Sequence, residues 1–183
     1  MNLPPPDKQI ATDINDVQLN SANIQRRVLE VSQEISAKHQ GHDMVFVCIL
    51  IGGISWFYDI VKHVNVKSQV WEMINVNIDR NSINNEVTFL SNQLKFDIQG
   101  KHIIIFDNGI MTGKTLVETI NFLKSQGAVE VEICLLTKPD RPFDVRIDYV
   151  GFTLQADCAG IIGYGIDDKR NGLHRELNNV YWN

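Results

Sequence analysis

Three short apolar runs, Met44–Leu50, His102–Phe106 and Val131–Thr137, constrain this chain more than any other feature. Met44–Leu50 is continuously apolar, the pattern of a strand covered on both faces by helices, and His102–Phe106 is the clearest buried strand. Helix-like segments fall between them. From Ser21 to Gln40, the residues Ile24, Val28, Val31 and Ile35 recur at steps of four, three and four, which puts them on one helical face with Ser21 as the expected N-cap. Ile54–His63 reads as a second helix. Leu116, Ile120 and Leu123 mark the apolar face of a third, stopped by Gly127. Strand, helix and strand in succession predict an α/β fold with a parallel sheet.

The remaining segments fit around that centre. Val70–Ile78 reads as a further strand, Glu86–Leu90 as a short one, and Tyr149–Phe152 and Ile161–Tyr164 as strand pieces in the last third. Asp79–Asn85, rich in asparagine, reads as a loop over a site. A length of 183 residues with 44% hydrophobic content suits one core, so a single domain over residues 1–183 is expected, with 1–20 an extended arm.

Charge and cysteines narrow the function classes. A formal net charge of -5 argues against broad nucleic-acid binding, which requires a cationic surface. Cys48, Cys134 and Cys158 lie far apart, two of them inside apolar runs, as reduced thiols do. Met1–Asp13 carries no apolar stretch resembling a signal peptide, and no run approaches the roughly 18 apolar residues of a membrane span. A cytoplasmic protein without membrane association is expected.

The chemistry is concentrated in Phe106-Asp-Asn-Gly-Ile-Met-Thr-Gly-Lys-Thr115. A buried strand opens there into a polar turn and then a helix, whose first N–H groups have no partners within the helix. The helix dipole, the bare backbone of Gly113 and the Thr112 and Thr115 hydroxyls all suit an anion, a phosphate monoester above all. A P-loop would need a glycine five positions before Gly113, where Asn108 stands. Taken alone, Thr-Gly-Lys-Thr is more often only a helix start with good capping chemistry.

The surroundings of that segment resemble the type I phosphoribosyltransferases of the hypoxanthine-guanine group, from about Val45 to the C-terminus. Their motif is an apolar strand, two acidic residues, two apolar residues, then Asp-Thr-Gly-Lys-Thr or a variant. Ile49-Leu-Ile-Gly-Gly53 is similar to the family's Leu-Lys-Gly-Gly turn, which often holds a cis peptide and contacts pyrophosphate. Asp148-Tyr-Val-Gly-Phe152 and Gly163-Tyr-Gly-Ile-Asp167 resemble its hood segments, and Arg175-Glu-Leu177 its Arg-Asp-Leu. The resemblance implies a mainly parallel central sheet flanked by helices, with a small hood contributed by residues 150–183. It implies transfer of a phosphoribosyl group to hypoxanthine or guanine, giving the nucleoside 5'-monophosphate and pyrophosphate, with Mg2+.

Carried over residue by residue, it assigns the 5'-phosphate to Ile110, Met111, Thr112, Gly113, Lys114 and Thr115, and the ribose to Asp107 and Asn108. The base falls to Lys138, Ile161 and Asp167, and pyrophosphate to Ile51, Gly52 and Arg175. Asp167 is also the implied magnesium ligand. Lys138 matches the lysine that selects a 6-oxo group, since an ammonium facing an amino group would set donor against donor. A homodimer or homotetramer is implied, as in the family, with a purine base and phosphoribosyl diphosphate as the small-molecule partners.

The sequence departs from the pattern at informative places. Asn108 replaces the second acidic residue, Ile51 the pyrophosphate lysine, and Met111 the aspartate assigned as proton acceptor. General-base help is typically worth about 10²–10⁴-fold, so the catalytic group is unassigned and a slow enzyme stands beside a nucleotide-binding sensor or regulatory module. Gly160 stands where a stacking aromatic is usual, with Trp182, Tyr164 or Phe152 as substitutes, and the Asn77–Asn85 region lacks the family's Ser-Tyr pair.

Overall fold

The apolar runs come together as the middle of one sheet in a computed structural model, which describes residues 17–79, 86–89, 94–156, 160–168 and 172–182. β2 (Asp43–Leu50), β5 (His102–Asp107) and β6 (Glu130–Pro139) lie side by side and parallel, flanked by β3 (Ser68–Asp79) and β7 (Tyr149–Leu154), also parallel. β4 (Glu86–Phe89) closes one edge antiparallel to β3, giving the order β4-β3-β2-β5-β6-β7.

Alternate residues of the central strands feed two separate cores, as a period of two requires. Phe46, Cys48, Ile104, Phe106, Cys134 and Leu136 pack on the face covered by α1 (Ser21–Lys38) and α2 (Ile54–Val61). Val45, Val47, Ile103, Ile105, Ile133 and Leu135 pack on the other, against Leu116 and Leu123 of α3 (Lys114–Ser125). Burial on both sides explains why these strands read as unbroken apolar runs.

A second, small sheet has the order β1-β9-β8, from β1 (Val17–Leu19), β8 (Ile161–Ile162) and β9 (Val180–Trp182). Its C-terminal strands come from the segment expected as a hood, and the end of the N-terminal arm is its third strand, whereas Tyr149–Leu154, also expected in the hood, is the edge strand of the main sheet beside β6. The strand expected over Ile161–Tyr164 stops at Ile162. Gly163, Tyr164 and Gly165 have φ of 95°, 51° and 94°, left-handed values that no strand continues through.

Two local expectations are corrected. The N-cap of α1 is Asn20, not Ser21: its side chain accepts from the Asn23 N–H at 2.9 Å. Ser21 already lies in the helix and donates its N–H to Asn179 Oδ1 at 2.8 Å, tying the helix start to the chain leading into β9. The loop expected over Asp79–Asn85 begins one residue later, because Asp79 still belongs to β3 and pairs with Glu86 of β4; residues 80–85 lie outside the described residues.

At the end of the sheet where β2, β5 and β6 begin, Glu132 is buried at 2% exposure. Burial pushes its carboxyl pKa up, but Lys38, His39 and the Tyr149 hydroxyl outweigh this by donating to it, and the result is held down at about 2. A depressed carboxylate stabilises the fold above its ordinary range, and that contribution is lost as pH falls toward 2. Glu132→Gln should lower unfolding free energy at pH 7 by about 3 kcal/mol and flatten the acid limb of stability, read by urea titration from pH 7 down to pH 3.

Candidate functional site

In a parallel sheet all carboxyl ends point to one edge, and ligands bind in the crevice there. At that edge the turn after β2, the turn after β5 and the hood meet at their glycines. A Cβ on Gly53 would lie 3.0 Å from Asp107 Cα, and one on Gly52 would lie 2.5 Å from Asn108 Nδ2. On the other side, a Cβ on Gly165 would lie 2.9 Å from the Gly52 carbonyl oxygen. Only residues without a side chain let these three segments touch. The Leu50–Ile51 peptide in the first turn is cis.

The segment after β5 is anchored at both ends. The Asn108 carbonyl accepts from the Thr137 N–H at 3.1 Å and from the Thr137 hydroxyl at 3.0 Å, which pins the turn to β6. Ile110 turns inward at 5% exposure and joins the core under α3, so of its groups only the backbone is left for a ligand. Gly113 then takes φ of +83° as the N-cap of α3, and Lys114 is the first helical residue. No acidic residue occupies the first turn of α3, so the positive end of its dipole is not cancelled. The Thr112 hydroxyl lies 3.4 Å from the Lys114 N–H at the helix mouth.

Met111 is 64% exposed between two adjoining hollows. One, of about 200 Å³, is lined by Asn108, Met111, Thr137 and Leu154 at the end of the main sheet and by Gly160 and Ile161 at the small one. The other, of about 340 Å³, runs past Met111 and Thr112 to Phe143 and Asp144. Arg141 borders both: its Nη2 donates to the Met111 carbonyl at 2.7 Å, and its guanidinium lies 5.2 Å from the Phe143 ring centroid. The arrangement offers an anion site at the helix start, beside a hollow with aliphatic walls that suits a flat apolar group.

Asp107, at the end of β5, is a titratable group of the site. Burial pushes its carboxyl up to about 7, against the pull of the Asn108 N–H at 2.7 Å. It therefore changes charge near neutrality.

The residues singled out in the sequence fall into groups. Asp107 to Thr115, with Gly52, lie at this edge, and Ile161 forms part of the opposite wall. Lys138 follows Thr137 on β6, half-buried. Asp167 and Arg175 are brought together as an ion pair at 2.7 Å, and Arg175 Nη1 also donates to the Gly165 carbonyl at 2.6 Å. The substitute stacking aromatics do not reach the hollow. Tyr164 is in the core with its hydroxyl on Asp59, Phe152 packs against the same core, and Trp182 is absent from the walls of the 200 Å³ hollow. That hollow has no aromatic wall among the described residues.

Arg141 and Thr137 were not anticipated. Arg141 sits in Lys-Pro-Asp-Arg-Pro, which carries no motif, and only the folded loop brings it to Met111. Thr137 reads as the end of a strand, and its hydroxyl matters because β6 lies beside β5.

Comparison with known proteins agrees with this geometry. The family model described as Phosphoribosyl transferase domain matches residues 18–169. The chain is 28% identical over 158 residues to a hypoxanthine-guanine-xanthine phosphoribosyltransferase of Tritrichomonas foetus, covering 85% of each. It is 29% identical over 167 residues to a hypoxanthine phosphoribosyltransferase of Haemophilus influenzae, covering 88% of this chain and 91% of the relative. A solved structure of a hypoxanthine phosphoribosyltransferase from Staphylococcus aureus superposes with a TM-score of 0.86 at 24% identity, covering 97% and 96% of the two chains, and shares the fold.

Gly113→Val should abolish binding of inorganic phosphate and nucleoside monophosphates in calorimetric titration. A β-branched residue is strained at φ of +83°, and its Cβ would press Ile110 Cδ1 at 3.3 Å and Val145 Cγ1 at 3.4 Å.

Proposed function

The chain belongs to the phosphoribosyl transferase domain family, and on that premise we propose that it transfers the 5-phosphoribosyl group of phosphoribosyl diphosphate to a 6-oxopurine, hypoxanthine or guanine, releasing pyrophosphate. The observation that carries this reading is the anion cradle at the start of α3, one loop away from a base-sized hollow. The names of the relatives from Tritrichomonas foetus and Haemophilus influenzae support the same substrate class.

In this reading the backbone amides around Gly113, with the Thr112 and Thr115 hydroxyls, hold the 5'-phosphate. Asp107 accepts from the ribose hydroxyls in its ionised form, and Asn108 stands beside it. The base lies in the hollow between Thr137 and Ile161, with the Lys138 ammonium donating to its 6-oxo group. Gly52 and the exposed turn at Ile51 supply backbone contacts to pyrophosphate. Arg175 keeps Asp167 in place and adds positive charge at the same end.

The donor chemistry suits a magnesium ion. One carboxylate is sufficient for a cation that keeps its waters and takes diphosphate oxygens, and Asp167, paired through Oδ2 with Arg175, is such a carboxylate. Such an ion would neutralise charge on the leaving diphosphate.

Met111 bears on rate more than on binding. As the glycosidic bond to diphosphate breaks, the sugar carbon becomes cationic and the purine nitrogen attacks it, so positioning and leaving-group stabilisation carry most of the acceleration. Methionine accepts no proton from the incoming base, which therefore passes to water or to pyrophosphate. A homo-oligomer, as in the family, goes with this reading.

Two measurements test it. Met111→Asp should raise kcat for hypoxanthine or guanine by about 10²-fold, within the range of general-base assistance. An unchanged kcat would mean that proton removal is not what the methionine costs, and nucleotide affinity without turnover in both forms would remove the enzyme reading. Affinity for phosphoribosyl diphosphate should also rise as pH passes from 6 to 8 while Asp107 ionises near 7. In Asp107→Asn that rise should shrink to the part owed to ionisation of the phosphates themselves, seen by titration at several pH values.

A further inference from the structure

At the far end of the sheet from the cleft, three of the five histidines converge. The cluster lies outside every contact invoked for phosphoribosyl transfer. His39 is the C-cap of α1, His42 stands in the turn that follows, and His102 opens β5. One ring nitrogen from each lies within 4.8 Å of the others. The rings meet edge to face, with centroids 5.4 Å apart for His42 and His102, 6.3 Å for His39 and His42, and 6.5 Å for His39 and His102. We propose that His39, His42 and His102 form a binding site for a transition-metal dication, zinc above all.

The partners of these rings carry the argument. His39 is buried, and its Nε2 lies 2.9 Å from Glu132 Oε2 and 3.2 Å from the Tyr149 hydroxyl. A carboxylate can only accept, so the proton sits on Nε2 and the lone pair is left on Nδ1. A metal-ligating histidine is prepared in this way, its outer nitrogen donating to a carboxylate that fixes the tautomer and makes the inner nitrogen more basic. His102 Nδ1 lies 3.2 Å from Glu130 Oε2, so this ring too turns one nitrogen to a carboxylate and leaves Nε2 as the other.

The backbone holds the three residues in register. The His42 N–H donates to the His39 carbonyl at 3.1 Å, the His39 N–H donates to Ile35 at 3.0 Å, and His102 pairs with Met44 and Glu130 in the sheet. Zinc-bound tetrahedral nitrogens lie roughly 3.4 Å apart, given bonds of about 2.0–2.1 Å, so the rings need to close by small side-chain rotations only. His42 is exposed, which leaves a side for water as a fourth ligand. Three imidazoles suit zinc, cobalt, nickel or copper and not magnesium.

The ion would be structural. β5 spans six residues from His102 to Asp107, roughly 17 Å at about 3.3 Å per residue, so it lies far from the transferred group. Bound there, it would staple the end of α1 to the start of β5.

The test uses the full-length, tag-free protein stripped with a chelator and titrated with Zn2+ and with Co2+. One equivalent of Zn2+ should bind and raise the thermal midpoint, and Co2+ should show visible bands of nitrogen ligation. His42→Ala, in an exposed turn, should bind Zn2+ at least about tenfold more weakly and lose the midpoint rise, while its metal-free midpoint stays near the native value. His102→Asn should do the same for binding, and His63→Ala, outside the cluster, should bind as the native chain does. Equal Zn2+ affinity in His42→Ala, His102→Asn and the native protein, or no stoichiometric binding at all, would overturn the proposal.

Discussion

Burial of β5 on both faces is the constraint that the rest of the structure depends on. Ile103 and Ile105 belong to the core under α3, Ile104 and Phe106 to the core under α1 and α2, and neither core forms without the strand between them. Because β5 is flanked by β2 and β6 in parallel, its carboxyl end emerges between two other carboxyl ends. The polar segment from Asp107 onward is thereby delivered into a crevice.

From that placement the site's properties follow. The turn at Asn108 is held by Thr137 and pressed by Gly52, so the start of α3 is aimed by its neighbours and not by its own sequence. Asp107 is drawn part of the way into the apolar end of the strand, and its carboxyl moves to about 7. Two of the departures from the family pattern lie on the exposed side of this framework. Met111 and Ile51 are both well exposed, so they alter what the cleft can do without disturbing how it is built.

The two ends of the sheet are organised by opposite means. At the carboxyl end, glycines let three turns close on one another around the start of α3. At the amino end, Glu132 is satisfied inside the protein by Lys38, His39 and Tyr149, and the cluster of histidines sits beside it. Polar groups at the first end hold turns in place, whereas those at the second knit the helix to the sheet.

Strand identity, helix faces and the strand-to-helix junction after Phe106 were legible in the chain itself, because two-sided burial and helix periodicity leave local patterns. Met44–Leu50, His102–Phe106 and the Ile24, Val28, Val31, Ile35 face needed no tertiary information. The Thr112–Thr115 segment was equally plain, since its glycine and hydroxyls act on the backbone next to them. Tertiary structure alone decided which segments meet: Arg141 against the Met111 carbonyl, Arg175 on Asp167, Tyr164 turned into the core, and three histidines from a helix end, a turn and a strand gathered at one corner. Those outcomes depend on strand order and on contacts between residues distant in the chain, and such pairings leave no periodic trace in a single sequence.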